Sequence, residues 1–314
     1  MEVIRDGGTV PAALRGGALA IGNFDGVHLG HQAVIGRAVA WARASGAPSL
    51  VLTFDPHPSR LFRPDAPPFL LTTLEQRLRL FAGLGVSATV VLPFTRALAA
   101  EPAEAFVAEW LARRIGPRHV VTGTDFSFGR GRGGDAATLA RLGERHGFSA
   151  EAVPPVMDRG APVSSTRVRT ALQAGDPAEA ARLLTRPFAI EGVVIPGDRR
   201  GRLLAAPTAN MELGPYVRPR YGVYAVRVQL PCGTPAAGVA NLGIRPMFEP
   251  PQLLLETWIL DWSGDLYGKR IAVGLVAYIR PELRLEGLEA LKAQIARDAE
   301  AARAALARAE AVPV

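Results

Sequence analysis

The 314-residue chain has one cysteine, Cys232, so no intrachain disulfide can form. A reducing compartment, the cytoplasm, is therefore the expected location. No apolar run approaches the roughly 20 residues that a membrane-spanning helix needs. Residues 1–15 hold no apolar core of a signal peptide, and acidic side chains appear early in them. The net charge is +7, supplied mostly by arginine. Those arginines are scattered, without a basic tail or an aromatic-interleaved stripe. Neither nucleic acid nor a membrane is thus an expected partner. The same balance suits a protein that binds anionic small molecules. The length predicts two domains, each able to bury a core. Hydrophobic content of 48% beside 21% charged residues suits a globular chain.

The two halves have different rhythms. In the first, strands are expected at 18–22, 49–54, 88–93, 118–123 and 149–154. Helices are expected at 31–45, 73–83, 101–115, 135–146 and 165–173. Thr72-Thr73-Leu74-Glu75 reads as a capping box for the second helix. Glu101-Pro102 opens the third with proline in its first turn. Such alternation implies βαβ units and a parallel sheet, with ligands at the carboxyl ends of the strands. From about 188 the pattern changes. Strands at 189–195, 222–230, 236–240, 253–260 and 270–279 follow one another, separated by glycine and proline. An antiparallel sheet or small barrel is expected. A final helix over 286–310 carries an apolar stripe of Leu288, Leu291 and Ile295 and is expected to pack on its own barrel. The boundary is expected near Thr185-Arg186-Pro187, giving domains 1–186 and 187–314.

The chemistry begins where the first of these strands turns into a helix. Gly22-Asn23-Phe24-Asp25-Gly26-Val27-His28-Leu29-Gly30-His31 lies there. A helix N-terminus offers free N–H groups and a positive dipole end. Glycine admits a close ligand, and two imidazoles can donate to charge developing on phosphate. Three further segments fit the same reaction. Thr53-Phe54-Asp55-Pro56-His57-Pro58 ends the second strand, with Asp55 and His57 within reach of a ligand. A Gly-rich stretch, 123–134, follows the fourth strand and is expected to be a mobile loop. It carries Asp125, Phe126, Phe128, Arg130 and Arg132, which suit a flat ring and a phosphate. Ser164-Ser165-Thr166-Arg167-Val168-Arg169 opens a helix with three hydroxyls and two arginines, a second anion cradle. Together these imply nucleotidyl transfer. A phosphate oxygen attacks the α-phosphate of a nucleoside triphosphate, and pyrophosphate leaves. Positioning and charge neutralisation carry such a step. His28 and His31 would face the α-phosphate. Ser165, Thr166 and Arg167 would hold the leaving phosphates, with magnesium bridging phosphate oxygens.

In this order GNFDGVHLGH, TFDPHP, DFSFGRGRGG and SSTRVR resemble the adenylyltransferase module of bacterial bifunctional riboflavin kinase/FAD synthetases. The second half resembles the riboflavin kinase module. Its segments are 197–202, Pro207-Thr208-Ala209-Asn210, Gly222-Val223-Tyr224, and Glu256 before Gly264-Asp265-Leu266-Tyr267-Gly268. The resemblance implies an α/β Rossmann-like nucleotidyltransferase domain, then a small antiparallel β-barrel kinase domain with a C-terminal helix. It implies two reactions. Riboflavin and ATP give FMN and ADP; FMN and ATP give FAD and pyrophosphate. The resemblance makes His28, His31, Arg167 and Glu256 catalytic, with Glu256 the general base toward the ribityl hydroxyl. Gly22, Asn23, Phe24, Asp25, Gly26, Gly30, Ser164, Ser165, Thr166 and Arg169 are expected around ATP in the first module. Gly201, Arg202 and Pro207 are expected around it in the second. His57, Asp125, Phe126, Phe128 and Arg130 are expected on the flavin side. Thr208 and Asn210 are expected to hold Mg²⁺-ATP through hard oxygens. A monomer or weak homo-oligomer is expected.

The kinase half departs from the family pattern. Ala205-Ala206 replaces a Gly-Phe pair, and Ile244 and Met247 replace two threonines. These changes leave open an FAD synthetase whose second half only binds flavin. A transferase acting on another phosphate, such as a coenzyme A precursor, and a nucleic-acid-binding module are more distant alternatives.

Overall fold

The computed structural model describes residues 1–5, 8–196, 207–245, 252–284 and 286–309. By contact the chain divides into two units, one of residues 1–67 and 72–164, the other of 68–71 and 165–314.

The first unit is built on a parallel sheet. Its elements are β1 (Glu2–Ile4), β2 (Ala18–Ile21), α1 (Leu29–Ala44), β3 (Ser49–Asp55), α2 (Leu74–Gly83), β4 (Ala88–Pro93), β5 (His119–Gly123), α3 (Ala136–His146) and β6 (Ser149–Val153). The sheet order is β1-β4-β3-β2-β5-β6. Both faces are covered, which is why β2, β3 and β4 read as nearly unbroken apolar runs. On one face Leu19, Ile21, Leu50, Leu52 and Val120 pack with Phe106, Leu111 and Leu139. On the other Ala18, Ala20, Val51 and Val121 pack with Val34, Ile35 and Ala38 of α1 and with Phe81 of α2. Strand order reverses beside β2, so the crevice at its carboxyl end, between β2 and β5, is the natural ligand position of such a sheet.

Several expectations shift in register. The capping box is Thr73 with Gln76, one residue beyond the expected start. Thr72 is drawn away by Asp25, whose Oδ1 accepts from the Thr72 backbone N–H at 3.0 Å. Pro102 is the N-cap of a helix that begins at Ala103, and that helix widens into π-helical geometry over Val107–Ile115. The 123–134 stretch, expected as a mobile loop, contains a local pairing. Ser127–Phe128 pairs with Gly134–Asp135 in a small hairpin.

The second unit begins with two helices, α4 (Ser165–Ala174) and α5 (Pro177–Leu184). Six antiparallel strands follow: β7 (Phe188–Val193), β8 (Thr208–Glu212), β9 (Gly222–Gln229), β10 (Pro235–Arg245), β11 (Gln252–Ile259) and β12 (Arg270–Arg280). Their order is β7-β12-β9-β10-β11-β8. The sheet curls until its edges touch through one bridge, Ile195 to Asn210, with the Ile195 N–H donating to the Asn210 carbonyl at 2.9 Å. β8 escaped the sequence reading because Thr-Ala-Asn-Met-Glu lacks β-branched alternation. The interior holds Tyr224, Val226, Val228, Leu242, Leu255 and Leu275.

The C-terminal helix α6 (Leu288–Arg308) lies on β9, β10 and β12. Its buried stripe is Ala299 and Ala302, with Ala305 and Leu306 beside them. Of the expected stripe Leu288 is 54% exposed, while Leu291 and Ile295 are half-buried. A buried carboxylate sets the register: Asp298 accepts from Arg280 Nε at 2.8 Å and Nη2 at 2.6 Å. Small alanines let the helix approach the sheet closely, where leucine would hold it off.

Candidate active sites

The turn after β2 is held in a strained shape. Phe24 and Val27 have φ of 51° and 44°, beside Gly26 at 89°. A left-handed β-branched residue is a genuine outlier, costing about 1–3 kcal/mol. Burial secures it. Phe24 is 2% exposed, edge-on to Phe81 and His31 and packed against Gly22, where a Cβ would lie 2.9 Å from its ring. Asp25 is also 2% exposed and bonds to Thr72, while the Gly26 N–H donates to Thr72 Oγ1 at 2.9 Å. Phe24 and Asp25 therefore shape the turn from beneath. Asn23 is exposed above them.

His28 is the N-cap of α1, its Nδ1 accepting from the His31 N–H at 3.3 Å. In the neutral ring the proton then sits on Nε2, which makes that atom the donor. His28 and His31 stack with centroids 3.6 Å apart and planes at 20°. Gly30 makes the stack possible, since a Cβ there would press on the His28 ring at 3.2 Å.

At the end of β3, His57 N-caps a short helix, Pro58–Phe62, through Nδ1, and Asp55 is exposed. After β5, Phe126 and Phe128 stack at 5.4 Å and 17°. Phe128 is 8% exposed and meets Phe106, so Phe126 is the more available ring. Asp125 and Arg130 are exposed, and Asp125 hangs over Gly123. Arg132 reaches back to Ser127 Oγ, closing the hairpin.

Of the residues expected in the second cradle, Ser164 closes the first unit, and Ser165, Thr166, Arg167 and Arg169 stand on α4 of the second. Arg167 donates to Glu179 Oε1 of α5 at 2.6 Å. Burial would raise the Glu179 carboxyl, and Arg182 and Arg167 together hold it below its ordinary value. Arg169 donates to the Phe69 carbonyl at 2.7 Å and lies over the Phe69 ring.

In the second unit, pairing places Asn210, Glu256 and Asn241 side by side across β8, β11 and β10. Directly paired residues share a face, so Glu256 stands beside Asn210. Leu255, Thr257 and Ile259 alternate with it onto the opposite face, where all three are buried. Asn241 Nδ2 donates to Glu282 at 3.1 Å. Next to the Ile195–Asn210 closure a cavity of about 320 Å³ opens. Thr208, Asn210, Ser263 and Asp265 give it polar walls, and Val194, Pro207, Ile259, Trp262, Leu266 and Tyr267 mainly apolar ones. Sequence reasoning missed Trp262, whose ring lies over Gly264, where a Cβ would come within 2.6 Å. Ile244 is 47% exposed. Gly201, Arg202, Ala205, Ala206 and Met247 lie outside the described residues.

Thr208 and Asn210 are two apart on one strand and line one cavity, so their oxygens fit a hard cation such as Mg²⁺. Among the described residues no three His, Cys, Asp or Glu side chains group as a metal site. Among the described residues no helix is long and apolar enough to cross a membrane.

Comparison with known proteins points to one family. The FAD synthetase family model matches residues 10–167, and the riboflavin kinase model residues 184–306. The chain is 41% identical over 292 residues to the bifunctional riboflavin kinase/FMN adenylyltransferase of Escherichia coli (strain K12), covering 93% of each. It is 41% identical over 305 residues to that of Pseudomonas fluorescens, covering 97% of each. A crystal structure described as a macrolide-efflux protein from Streptococcus pneumoniae shares the fold with a TM-score of 0.88 and 28% identity, over 96% of this chain and 99% of that one. The chain belongs to the bifunctional riboflavin kinase/FMN adenylyltransferase family.

Proposed function

We propose that the chain runs two consecutive steps of flavin biosynthesis at two separate sites, with module boundaries at 1–186 and 187–314. The stacked His28–His31 pair on a helix N-terminus carries the first assignment. The Asn210–Glu256 register pair beside the cavity carries the second.

In the kinase step Glu256 accepts the proton of the riboflavin ribityl hydroxyl as its oxygen attacks the γ-phosphorus of ATP. The β,γ-bridging oxygen leaves with ADP. Thr208 and Asn210 orient the triphosphate and would hold Mg²⁺, which supplies charge neutralisation on the phosphates. Pro207 fixes the chain as it enters β8. In the adenylyl step an FMN phosphate oxygen attacks the α-phosphorus of ATP, and pyrophosphate departs. The Nε2–H of His28 and the His31 imidazole donate to the charge that develops there. Gly22, Gly26 and Gly30 let backbone approach the phosphates. His57, Asp125, Phe126 and Arg130 stand on the flavin side, and Phe128 supports Phe126. Ser164, Ser165, Thr166 and Arg167 carry the leaving phosphates, Arg167 exchanging Glu179 for the ligand. The reaction belongs in the cytoplasm, and ATP is the co-substrate of both steps.

The test is separability. With riboflavin or FMN supplied, His28→Ala abolishes FAD formation and spares FMN formation. Glu256→Ala abolishes FMN formation and spares FAD formation from FMN. Loss of both activities in one folded variant contradicts the two-site assignment.

A further inference from the structure

Arg77 is the largest fully buried side chain of the molecule's described residues, 2% exposed, yet it is charged and stands on α2 among Leu74, Gln76 and Phe81. Burial lowers its pKa, and the fields of Asp25, Asp55 and Glu75 oppose that effect. A guanidinium stays charged in protein interiors, so this one needs acceptors. Its Nη1 donates to the Asn23 carbonyl at 2.7 Å and to Thr53 Oγ1 at 3.1 Å. Both Nη atoms reach the Phe54 carbonyl at 3.5 Å, and Nη2 lies 3.8 Å from the Asp55 carboxylate. Thr53 Oγ1 itself donates to the Asn23 carbonyl at 3.2 Å. Arg77 Nε has no hydrogen-bond partner among the described residues.

Every acceptor lies at the carboxyl end of β2 or β3. Asn23 opens the turn that leads through left-handed Phe24 and Val27 to His28. Phe54 and Asp55 open the segment that leads to His57. A buried charge is weak support for stability, because an apolar residue of similar volume often serves as well. An unsatisfied Nε points the same way. What an apolar residue cannot do is tie two strand ends together from beneath.

We propose that Arg77 is a positioning residue for adenylyl transfer, joining the phosphate-binding turn to the end of β3 so that His28 and His31 meet the α-phosphate in fixed geometry. It acts through Asn23 and touches no substrate. Thr72, just before the N-cap of α2, assists by holding Asp25 and Gly26. Lysine would keep the charge but lacks the planar fork that reaches both strand ends. The inference rests on the adenylyltransferase reading of this unit.

The test uses full-length Arg77→Lys and Arg77→Met. FAD formation from FMN is measured as kcat and KM, with FMN formation from riboflavin as the internal control and thermal unfolding beside them. The expected result is a kcat for FAD formation at least tenfold lower in Arg77→Lys and lower still in Arg77→Met. KM for FMN changes less than kcat, because the Phe126 hairpin on the flavin side does not touch Arg77, although the end of β3 that leads to His57 does. Kinase turnover stays within twofold. Wild-type kcat in folded Arg77→Met overturns the proposal, as does a kcat that falls only in step with the folded fraction. Should neither Arg77 variant fold, Thr53→Val removes one acceptor and is read the same way: a severalfold lower kcat supports the proposal and an unchanged kcat overturns it. An unsubstituted chain that makes no FAD from FMN and ATP overturns instead the adenylyltransferase reading.

Discussion

His28 holds two roles that substitution can pull apart. Its Nδ1 caps α1 by accepting the His31 N–H, and in the proposed reaction its Nε2–H donates to the α-phosphate. Alanine removes both. Losing an N-cap side chain costs about 1 kcal/mol, which for a unit of this size lowers the unfolding midpoint by roughly 2–4 °C. Losing one preorganised donor to a developing oxyanion lowers kcat by about 10²–10³. Asparagine keeps an oxygen that can accept the same N–H and has no imidazole. His28→Asn is therefore expected to unfold close to the unsubstituted protein, and His28→Ala several degrees lower. Both are expected to lose at least a hundredfold in FAD formation. Calorimetry and chromatography of flavins after incubation with FMN, ATP and magnesium read the two effects. If asparagine destabilises as much as alanine, the cap contributes nothing. If either variant keeps FAD formation within tenfold, the imidazole is not the donor.

Two further outcomes follow from the second unit. Tyr224 lies inside the barrel with its hydroxyl donating to the Arg220 carbonyl, and burial, then Tyr278, push its pKa well above 10.0. The folded state keeps a proton that the unfolded state releases, so stability is full below pH 10 and falls as pH rises beyond it; Tyr224→Phe is expected to flatten that alkaline slope in denaturant titrations. Asn210→Ala removes one of two oxygens suited to the cation, so FMN formation is expected to need several times more Mg²⁺ while FAD formation from FMN keeps its Mg²⁺ dependence; equal shifts in both reactions would count against the assignment.

Much of the fold was legible because its signals are local. Unbroken apolar runs mark strands buried on both faces, and the loss of intervening helices after 188 marks the antiparallel unit. The histidine turn was legible because strand, glycines and helix start are contiguous. What stayed hidden depends on partners far along the chain. Arg77 sits in a helix where an arginine ordinarily faces water, and only the folded strand ends at Asn23 and Phe54 show why it is inside. Thr72 looked like the capping residue until Asp25, 47 residues away, claimed it. The α6 stripe was drawn through Leu288, Leu291 and Ile295, yet the close approach of the sheet buries Ala299 and Ala302 most deeply. The 123–134 glycines suggested a mobile loop. They serve a hairpin in which Gly134 leaves room for the Phe128 ring.

The central claim is that one chain carries both activities. The direct measurement is chromatography of flavins after the unsubstituted protein is incubated with ATP, magnesium and riboflavin, beside a parallel incubation with FMN. FMN and FAD from riboflavin, and FAD from FMN, are the predicted products. FAD from FMN alone, with riboflavin untouched, would contradict the account and leave the second unit a flavin-binding module without kinase chemistry.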